Sequence, residues 1–393
     1  MQKKVILKKG KEESLLRFHP WIFSGAIATI EGEPDEGDVV DVYTHQGDWI
    51  AVGHIQVGSI AVRVLSFKHE KIDPEFWFRR LSVALELRRA LGLTERTDHN
   101  IYRLVHGEGD NLPGLVIDVY GRTAVMQAHS VGMHCNRMDI AQALQRVMGD
   151  SISGIYYKSE TTLPFKADID RGNGYIIGGP TDDTPLEYGM KMPVDWISGQ
   201  KTGLFIDQRE NRALLERYSK DRSVLNMFCY TGGFSLAALR GGARLVHSVD
   251  SSARAIELTA GGVQDNFPGD TRHEAYAEDA FKFLERMDSI YDLIVLDPPA
   301  FAKHKDALKH ALIGYRRLNQ KAMEKIKPGG ILFTFSCSQV VTKDQFRMAV
   351  FTAAAQAGRS VKILYQLHQP ADHPINIFHP EGEYLKGLVL SVE

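Results

Sequence analysis

From about residue 186 onward the chain alternates short, nearly all-apolar runs with amphipathic stretches, and this pattern constrains the fold more than any other feature. The apolar runs are SVLNMF, LVHSVD, YDLIVLD, GGILFTFS and VKILYQL; SARAIELTAGGVQDNF and ALIGYRRLNQKAMEKI between them have helical spacing. Strands apolar on both faces are covered on both faces, and strand-helix-strand alternation joins parallel strands. The expected fold class is therefore α/β, a mostly parallel sheet with helices on both sides. Ligands of such sheets sit outside the carboxyl ends of the strands. Chemistry is to be sought in the residues found there.

VLNMF runs directly into CYTGGFSLAALRGG, which places Gly232 and Gly233 at a tight strand-to-helix turn. Glycines there let a ligand approach the backbone, and the next helix offers free N–H groups. Asp250 ends the next strand, eighteen residues after Gly232, where an acid that holds ribose hydroxyls belongs. A glycine turn followed by one acid also arises from packing alone. Asp279 in YAEDAF and Asp297 in LIVLDPPAF, however, stand at two further strand ends, and three acids on one rim arise by chance far less often. Neither GxGxxG nor GxxxxGK[ST] follows these strands, which argues against a dinucleotide or a P-loop nucleotide. The pattern points to an adenosine-bearing ligand without a diphosphate, S-adenosylmethionine, and the layout resembles the class I methyltransferases. YTGGFS replaces their more usual GxGxG, yet it keeps two glycines in the turn.

The first 185 residues read differently. Residues 1–70 show short alternating runs such as DVVDVY and IAVRVLSF with Gly-Asp and Gln-Gly turns between them, the pattern of a small all-β barrel or sandwich. KGKEESLLRFHPWIFSGAI followed by GDVVDVYTHQGDWIAVG resembles the PUA module, a β-barrel with which RNA-modifying enzymes hold structured RNA; His19, Pro20 and Trp21 carry its most distinctive part. Residues 1–30 hold six Lys or Arg side chains against two Glu, in a protein whose net charge is only -2. Such a run more often marks a solvated face than a phosphate contact. With the resemblance, Lys8, Lys9, Lys11, His19 and Trp21 become candidate RNA contacts. Over 71–185, Asp73 and Pro74 open a helix that ends near Gly92, Tyr120-Gly121 closes a hairpin, and a helix over 136–148 buries Ile140, Ala143, Leu144 and Val147. This block is expected to be a small α+β domain. The methyltransferase domain then spans 186–393.

KTGLFIDQRENR, NMFCYTGGFS, LDPPAFAK, TFSCS and HPEGEYLKG together are similar to a bacterial family of large-subunit ribosomal RNA cytosine-C5 methyltransferases, over essentially the whole chain and in the same order. The resemblance implies cofactor contacts from Phe228, Tyr230, Thr231 and Gly232, with Asp250 on the ribose, Asp279 near the adenine and Asp297 at the methyl-transfer centre. Lys201, Gly203, Asp207 and Gln208 would close the pocket. The implied partner is 23S ribosomal RNA or its precursor particle.

Cytosine C5 is too weak a nucleophile to attack a methyl sulfonium until another nucleophile adds at C6. A thiolate suits that task because it both attacks and leaves well near neutral pH. Cys337 ends the strand GGILFTFS on the rim where Asp297 ends its own, and TFSCS resembles the motif that carries this nucleophile in other RNA cytosine-C5 methyltransferases. A cysteine met in isolation reads as a small core hydrophobe; the company of Asp297 reverses that preference. Those enzymes often place a second cysteine after the proline of the Asp-Pro turn. Here Ala300 follows Pro299, so product release does not depend on one. Asp297 would orient the base and take part in proton transfer, or only fix the Pro-Pro turn. Phe301 would stack on a flipped base or pack in the core. Cys229 reads as structural and Cys135 as inert.

His368, His373 and His379 lie in a proline-rich stretch that reads as a loop over the catalytic face, at spacings that fit no zinc pattern, and no metal is expected. Three scattered cysteines suit a reducing cytoplasm. Neither a signal peptide nor a membrane span is legible. A homodimer is left open. Three other functions also remain: base-nitrogen methylation, since Asp-Pro-Pro-aromatic runs serve amino methyltransferases; a small-molecule methyltransferase; and a non-catalytic RNA-binding assembly factor.

Overall fold

The computed structural model describes residues 2–164, 172–302 and 304–393. Lys303, the last residue of LDPPAFAK, lies outside them. The chain divides into two compact units, the first comprising Met1–Gly189, Asp195–Ile206 and Ala371–Gly382, the second Met190–Val194, Asp207–Pro370 and Glu383–Glu393. Among the described residues no helix is long and apolar enough to cross a membrane.

The first unit holds two sheets. One contains β1 (Lys4–Leu7), β2 (Trp21–Phe23), β3 (Ile27–Glu31), β4 (Val39–Tyr43), β5 (Trp49–Ile55) and β6 (Ile60–Ser66), with the short helix α1 (Glu13–Leu16) between β1 and β2. The spatial order is β2-β6-β5-β4-β1-β3. Val40 and Val42 of DVVDVY are buried while Val39, Asp41 and Tyr43 are not, which is the side-chain alternation of a strand with one face on the core. The second sheet, ordered β11-β10-β9-β8-β7, contains β7 (Ile101–His106), β8 (Leu115–Tyr120), β9 (Thr123–Ala128), β10 (Gly154–Tyr157) and β11 (Gly174–Gly178). β9 and β10 are parallel and so need a crossover, which α3 (Val131–Cys135) and α4 (Arg137–Met148) provide. α2 (Pro74–Ala90) begins as expected: Asp73 Oδ1 accepts from Phe76 N at 3.0 Å, with Pro74 in the first turn. The two-residue strand β12 (Leu186–Glu187) follows later in this unit.

Residues 371–382 return to the first unit through buried charge. Arg88, fully buried, grips Asp110 with two bonds of 2.5 and 2.8 Å and donates to Asp372 O at 2.8 Å. Asp372 Oδ2 in turn accepts from Arg103 N at 3.0 Å. At Gly109 any Cβ would lie 1.9 Å from Pro374 O, so only glycine admits this approach. Of the histidine-bearing stretch expected as a loop over the catalytic face, His373 and His379 thus belong to the first unit, while His368 belongs to the second. Hydrophobic patterning gave no hint of this because charged side chains make the attachment.

The second unit is the α/β layer expected from the sequence. β13 (Met190–Lys191) and α5 (Arg209–Tyr218) precede the strands β14 (Ser223–Met227), β15 (Leu245–Asp250), β16 (His273–Ala277), β17 (Leu293–Leu296), β18 (Gly330–Ser336), β19 (Val361–Leu367) and β20 (Lys386–Val392). Their connections carry α6 (Gly233–Arg240), α7 (Ala253–Asn266), α8 (Ala280–Arg286), α9 (Leu308–Lys325) and α10 (Lys343–Ala357). The order β16-β15-β14-β17-β18-β20-β19 is parallel through its first five members. β20 runs antiparallel to both β18 and β19. Strand order reverses between β14 and β17, so the ends of these two strands open the crevice in which such sheets bind ligands.

Removing one partner of a buried ion pair leaves an uncompensated charge, typically at a cost of about 3–5 kcal/mol. Asp110→Ala is therefore expected to lower the unfolding free energy of the first unit by that order, read as a lower urea midpoint. An unchanged midpoint would mean that the Arg88 pair does not hold the returning segment.

Candidate active site

The turn after β14 is strained. Phe228, Tyr230 and Gly232 take φ of 59°, 48° and 81°, so two side-chain-bearing residues sit in the left-handed region. Such strain persists only where its surroundings impose it, and it gathers at functional sites. Here Asp250 imposes it: Oδ2 accepts from Tyr230 N at 3.0 Å and Oδ1 from Ser252 N at 2.9 Å. Thr259 Oγ1 donates to Tyr230 O at 2.9 Å. A Cβ on Gly232 would lie 2.5 Å from Thr259 Cγ2, so the glycine serves a close approach as well as its φ. Thr231 is 1% exposed, and its hydroxyl has no partner among the described residues. A buried orphan hydroxyl beside an open turn suits a polar ligand. Each Asp250 oxygen, bonded once, can accept again, as a ribose requires. Asp279 is exposed and caps α8, Oδ1 accepting from Lys282 N at 3.0 Å, which leaves its other oxygen free.

Four residues expected to close the pocket fall in different units. Lys201 and Gly203 belong to the first, where Lys201 has φ of 52° and its carbonyl accepts from Gln127 Nε2 at 3.2 Å. Asp207 and Gln208 belong to the second, where they meet Asp297. Gln208 Nε2 donates to Asp297 Oδ2 at 3.0 Å, and Asn211 Nδ2 fixes the amide orientation by donating to Gln208 Oε1 at 2.6 Å. Tyr384 donates its hydroxyl proton to Asp207 Oδ2 at 2.7 Å, while Asp207 Oδ1 is buried without a partner. Burial first, and then the Asp207 charge, push the Asp297 carboxyl up to about 7; Gln208 and Arg212 oppose them. Asp297 is thus poised to gain or lose a proton near neutrality.

Cys337 follows β18, beside Asp297 at the end of β17, and its Sγ lies 3.9 Å from Pro298 O. Burial, then Asp297 and Asp207, push the thiol up to about 12, whereas a backbone hydrogen bond and Lys386 draw it down. Cys229 is buried, and burial together with Asp250 pushes it likewise to about 12. Cys135 is exposed at the end of α3.

Lys8, Lys9 and Lys11 are exposed, with Lys8 Nζ donating to Gly25 O at 2.9 Å. Trp21 is not the open platform that its neighbourhood in the sequence suggested. Its indole N–H donates to Glu108 Oε1 at 2.8 Å, and its ring meets the His379 ring edge-on at 4.3 Å. Phe18 and Phe23, each 49% exposed, are the open rings near it. Phe301 rests on Tyr315 at 4.7 Å and against Gly314, so packing occupies part of its ring. Among the described residues one group, His19, His379 and Glu381, gathers three metal-type ligand atoms within 4.8 Å. Hydrogen bonds account for two of its members: His19 Nδ1 faces the Trp21 backbone, and Nε2 lies 3.4 Å from Glu381 Oε2.

Comparison with known proteins fits this geometry. A PUA-like domain model matches residues 5–67, and an S-adenosylmethionine-dependent methyltransferase model matches residues 160–383. The protein is therefore an S-adenosylmethionine-dependent methyltransferase that carries a PUA-like domain. Ribosomal RNA large subunit methyltransferase I of Klebsiella pneumoniae is 41% identical over 99% of this chain and 98% of its own. That of Tolumonas auensis is 43% identical over 99% of each. The chain belongs to the ribosomal RNA large subunit methyltransferase I family. The fold also matches, end to end in both chains, a structure assigned as an S-adenosylmethionine-dependent methyltransferase from Streptococcus mutans, at 22% identity and a TM-score of 0.84. A methyltransferase structure complexed with S-adenosylhomocysteine matches at 22% identity and 0.85, again over all of both chains.

Sequence reasoning did not single out Arg212, Tyr384 or Lys386, which surround the acid pair and the thiol. Arg212 was hidden in an ordinary amphipathic helix. Tyr384 and Lys386 stand in the quoted HPEGEYLKG stretch, but their partners Asp207 and Ser338 lie far away in sequence.

Gly232→Ala is expected to weaken S-adenosylhomocysteine binding at least tenfold by calorimetry, because the methyl would meet Thr259 and the left-handed turn would relax. Unchanged affinity would take the turn out of the cofactor site.

Proposed function

We propose that this enzyme methylates C5 of a cytosine in large-subunit ribosomal RNA through a covalent bond between Cys337 Sγ and C6 of the base. One observation carries this reading: a thiol and a carboxyl poised near neutrality end adjacent parallel strands, with Sγ lying against the Asp297-Pro298 turn. The names of the relatives and the PUA-like module support RNA of the large ribosomal subunit as substrate.

Residues 1–70 would hold the RNA through Lys8, Lys9, Lys11 and the rings around His19 and Trp21, residues 71–185 form a middle α+β domain, and residues 186–393 perform the chemistry. Phe228, Tyr230, Thr231, Gly232, Asp250 and Asp279 would hold S-adenosylmethionine, which supplies an electrophilic methyl group when bound. Asp207 and Gln208 would add to its enclosure within the second unit. Three cysteines not bonded to one another suit a reducing cytoplasm.

The Cys337 thiolate adds to C6 while protonated Asp297 gives its proton to N3, which makes C5 enamine-like and able to take the methyl group. Loss of the C5 proton to a base then reforms the double bond as Sγ leaves C6 and the N3 proton returns to Asp297. Gln208, held by Asn211, keeps the carboxyl aimed at the base. A carboxyl raised to about 7 keeps its proton below neutrality, is about half protonated there, and loses the proton as the pH climbs further. Because the Cys337 thiolate fraction grows over the same range, its thiol being pushed up to about 12, the addition step weakens on the acid side of about pH 7 and levels off above it.

A second reading, methylation of a base nitrogen, draws on the Asp-Pro-Pro turn and on the pressure of two carboxylates against thiolate formation. Such chemistry needs no thiol. With unmodified large-subunit RNA and methyl-labelled S-adenosylmethionine, mass spectrometry is expected to find 5-methylcytidine from the parent and none from Cys337→Ala. A methylated guanine, or full activity in the variant, would establish the nitrogen reading instead.

A further inference from the structure

The two carboxylates nearest Cys337 both oppose the ionisation that the proposed reaction needs, so something on the same rim has to offset them. Lys386 is placed to do so. It begins β20, and antiparallel pairing sets it directly opposite Ser336, the residue before Cys337. Its Nζ donates to Ser338 O, the carbonyl after Cys337, at 2.6 Å. One lysine thus spans the thiol-bearing turn from both sides. Ser338 is pinned in turn, its hydroxyl donating to Ala302 O at 2.6 Å. The approach to β20 is fixed as well, because Gln369 Oε1 accepts from Tyr384 N and Leu385 N at 3.3 and 3.4 Å.

A lysine 5% exposed in the wall of a catalytic rim has no evident structural need for its charge. Burial lowers its pKa to about 8, and Lys343 on α10 pushes the same way; Cys337 and Glu383 favour the ammonium. The charges acting on the sulfur are those of Asp297 and Asp207 against that of Lys386.

We propose that Lys386 is the positioning residue of Cys337: its ammonium, anchored on Ser338 O, holds the sulfur in the thiolate form against the Asp297 and Asp207 carboxylates. The inference rests on the nucleophile reading of Cys337. The proton leaves Sγ for the amine where that is neutral, making it the ammonium, or for solvent where the ammonium is already formed; in both cases the ammonium stays paired with the sulfur. When the thiolate is later expelled from C6, the same cation receives it. Both tasks require a positive charge at this place, and an apolar side chain of similar length supplies none.

The test is the pH dependence of Cys337 alkylation by iodoacetamide in the full-length protein, followed by peptide mass spectrometry, with exposed Cys135 as the internal reference. Lys386→Met is expected to slow Cys337 alkylation at least tenfold at pH 7.5 and to move its midpoint up by a pH unit or more. Lys386→Arg is expected to restore most of the rate, and S-adenosylhomocysteine affinity to stay unchanged in both variants. An unchanged midpoint in Lys386→Met would overturn the proposal, and so would an equal loss in Lys386→Arg with cofactor binding intact. No RNA is needed, so the outcome is separable from the nucleophile reading, which the identity of the methylated nucleoside and the Cys337→Ala assay decide.

Discussion

The site turns on the electrostatics of one strand-end rim, where two carboxylates and a thiol share an environment largely withdrawn from water. Like charges there cannot all ionise, so Asp207 and burial keep Asp297 protonated to about neutrality, and both acids press Cys337 toward the neutral thiol. Everything around them divides that charge. Tyr384 and Gln208 each hold one oxygen of the acid pair, and Lys386 reaches the turn that bears the sulfur. Parallel strands make the crowding possible, since their ends arrive at one edge whatever their separation in sequence.

The glycine turn on the same edge solves a different problem. Its left-handed residues are held by an acid one strand away, so the backbone that receives the cofactor and the carboxylate expected on its ribose form one device. A polar ligand taking a second bond from Asp250 would tighten the turn that already depends on it. In the first unit buried charge does comparable work, with Arg88, Asp110 and Asp372 fastening a distant stretch of chain.

Much of this was legible in the sequence. Near-continuous apolar strands gave the parallel sheet, alternation gave the barrel strands, and Asp73-Pro74 gave the start of α2. The positions of Asp250, Asp297 and Cys337 followed from where strands must end. Three things were hidden, each for a physical reason. Residues 371–382 join the first unit through hydrogen bonds of charged side chains with the backbone, which leave no periodic trace. Trp21 looked open because its partners Glu108 and His379 are distant in sequence. Lys386 looked like an ordinary strand-start lysine because its significance comes from antiparallel register with Ser336, and register between strands 50 residues apart is not written in either one.

A covalent intermediate is the most exposed claim, and trapping tests it directly. RNA carrying 5-fluorocytidine at the target should accept the thiolate and the methyl group but cannot then lose a proton from C5, so the protein stays bonded to C6. Mass spectrometry of the digested complex is expected to find the methylated fluorocytidine on the Cys337 peptide, and on no other. RNA released free while methylation proceeds elsewhere, with every Cys337 peptide unmodified, would contradict a thiolate mechanism.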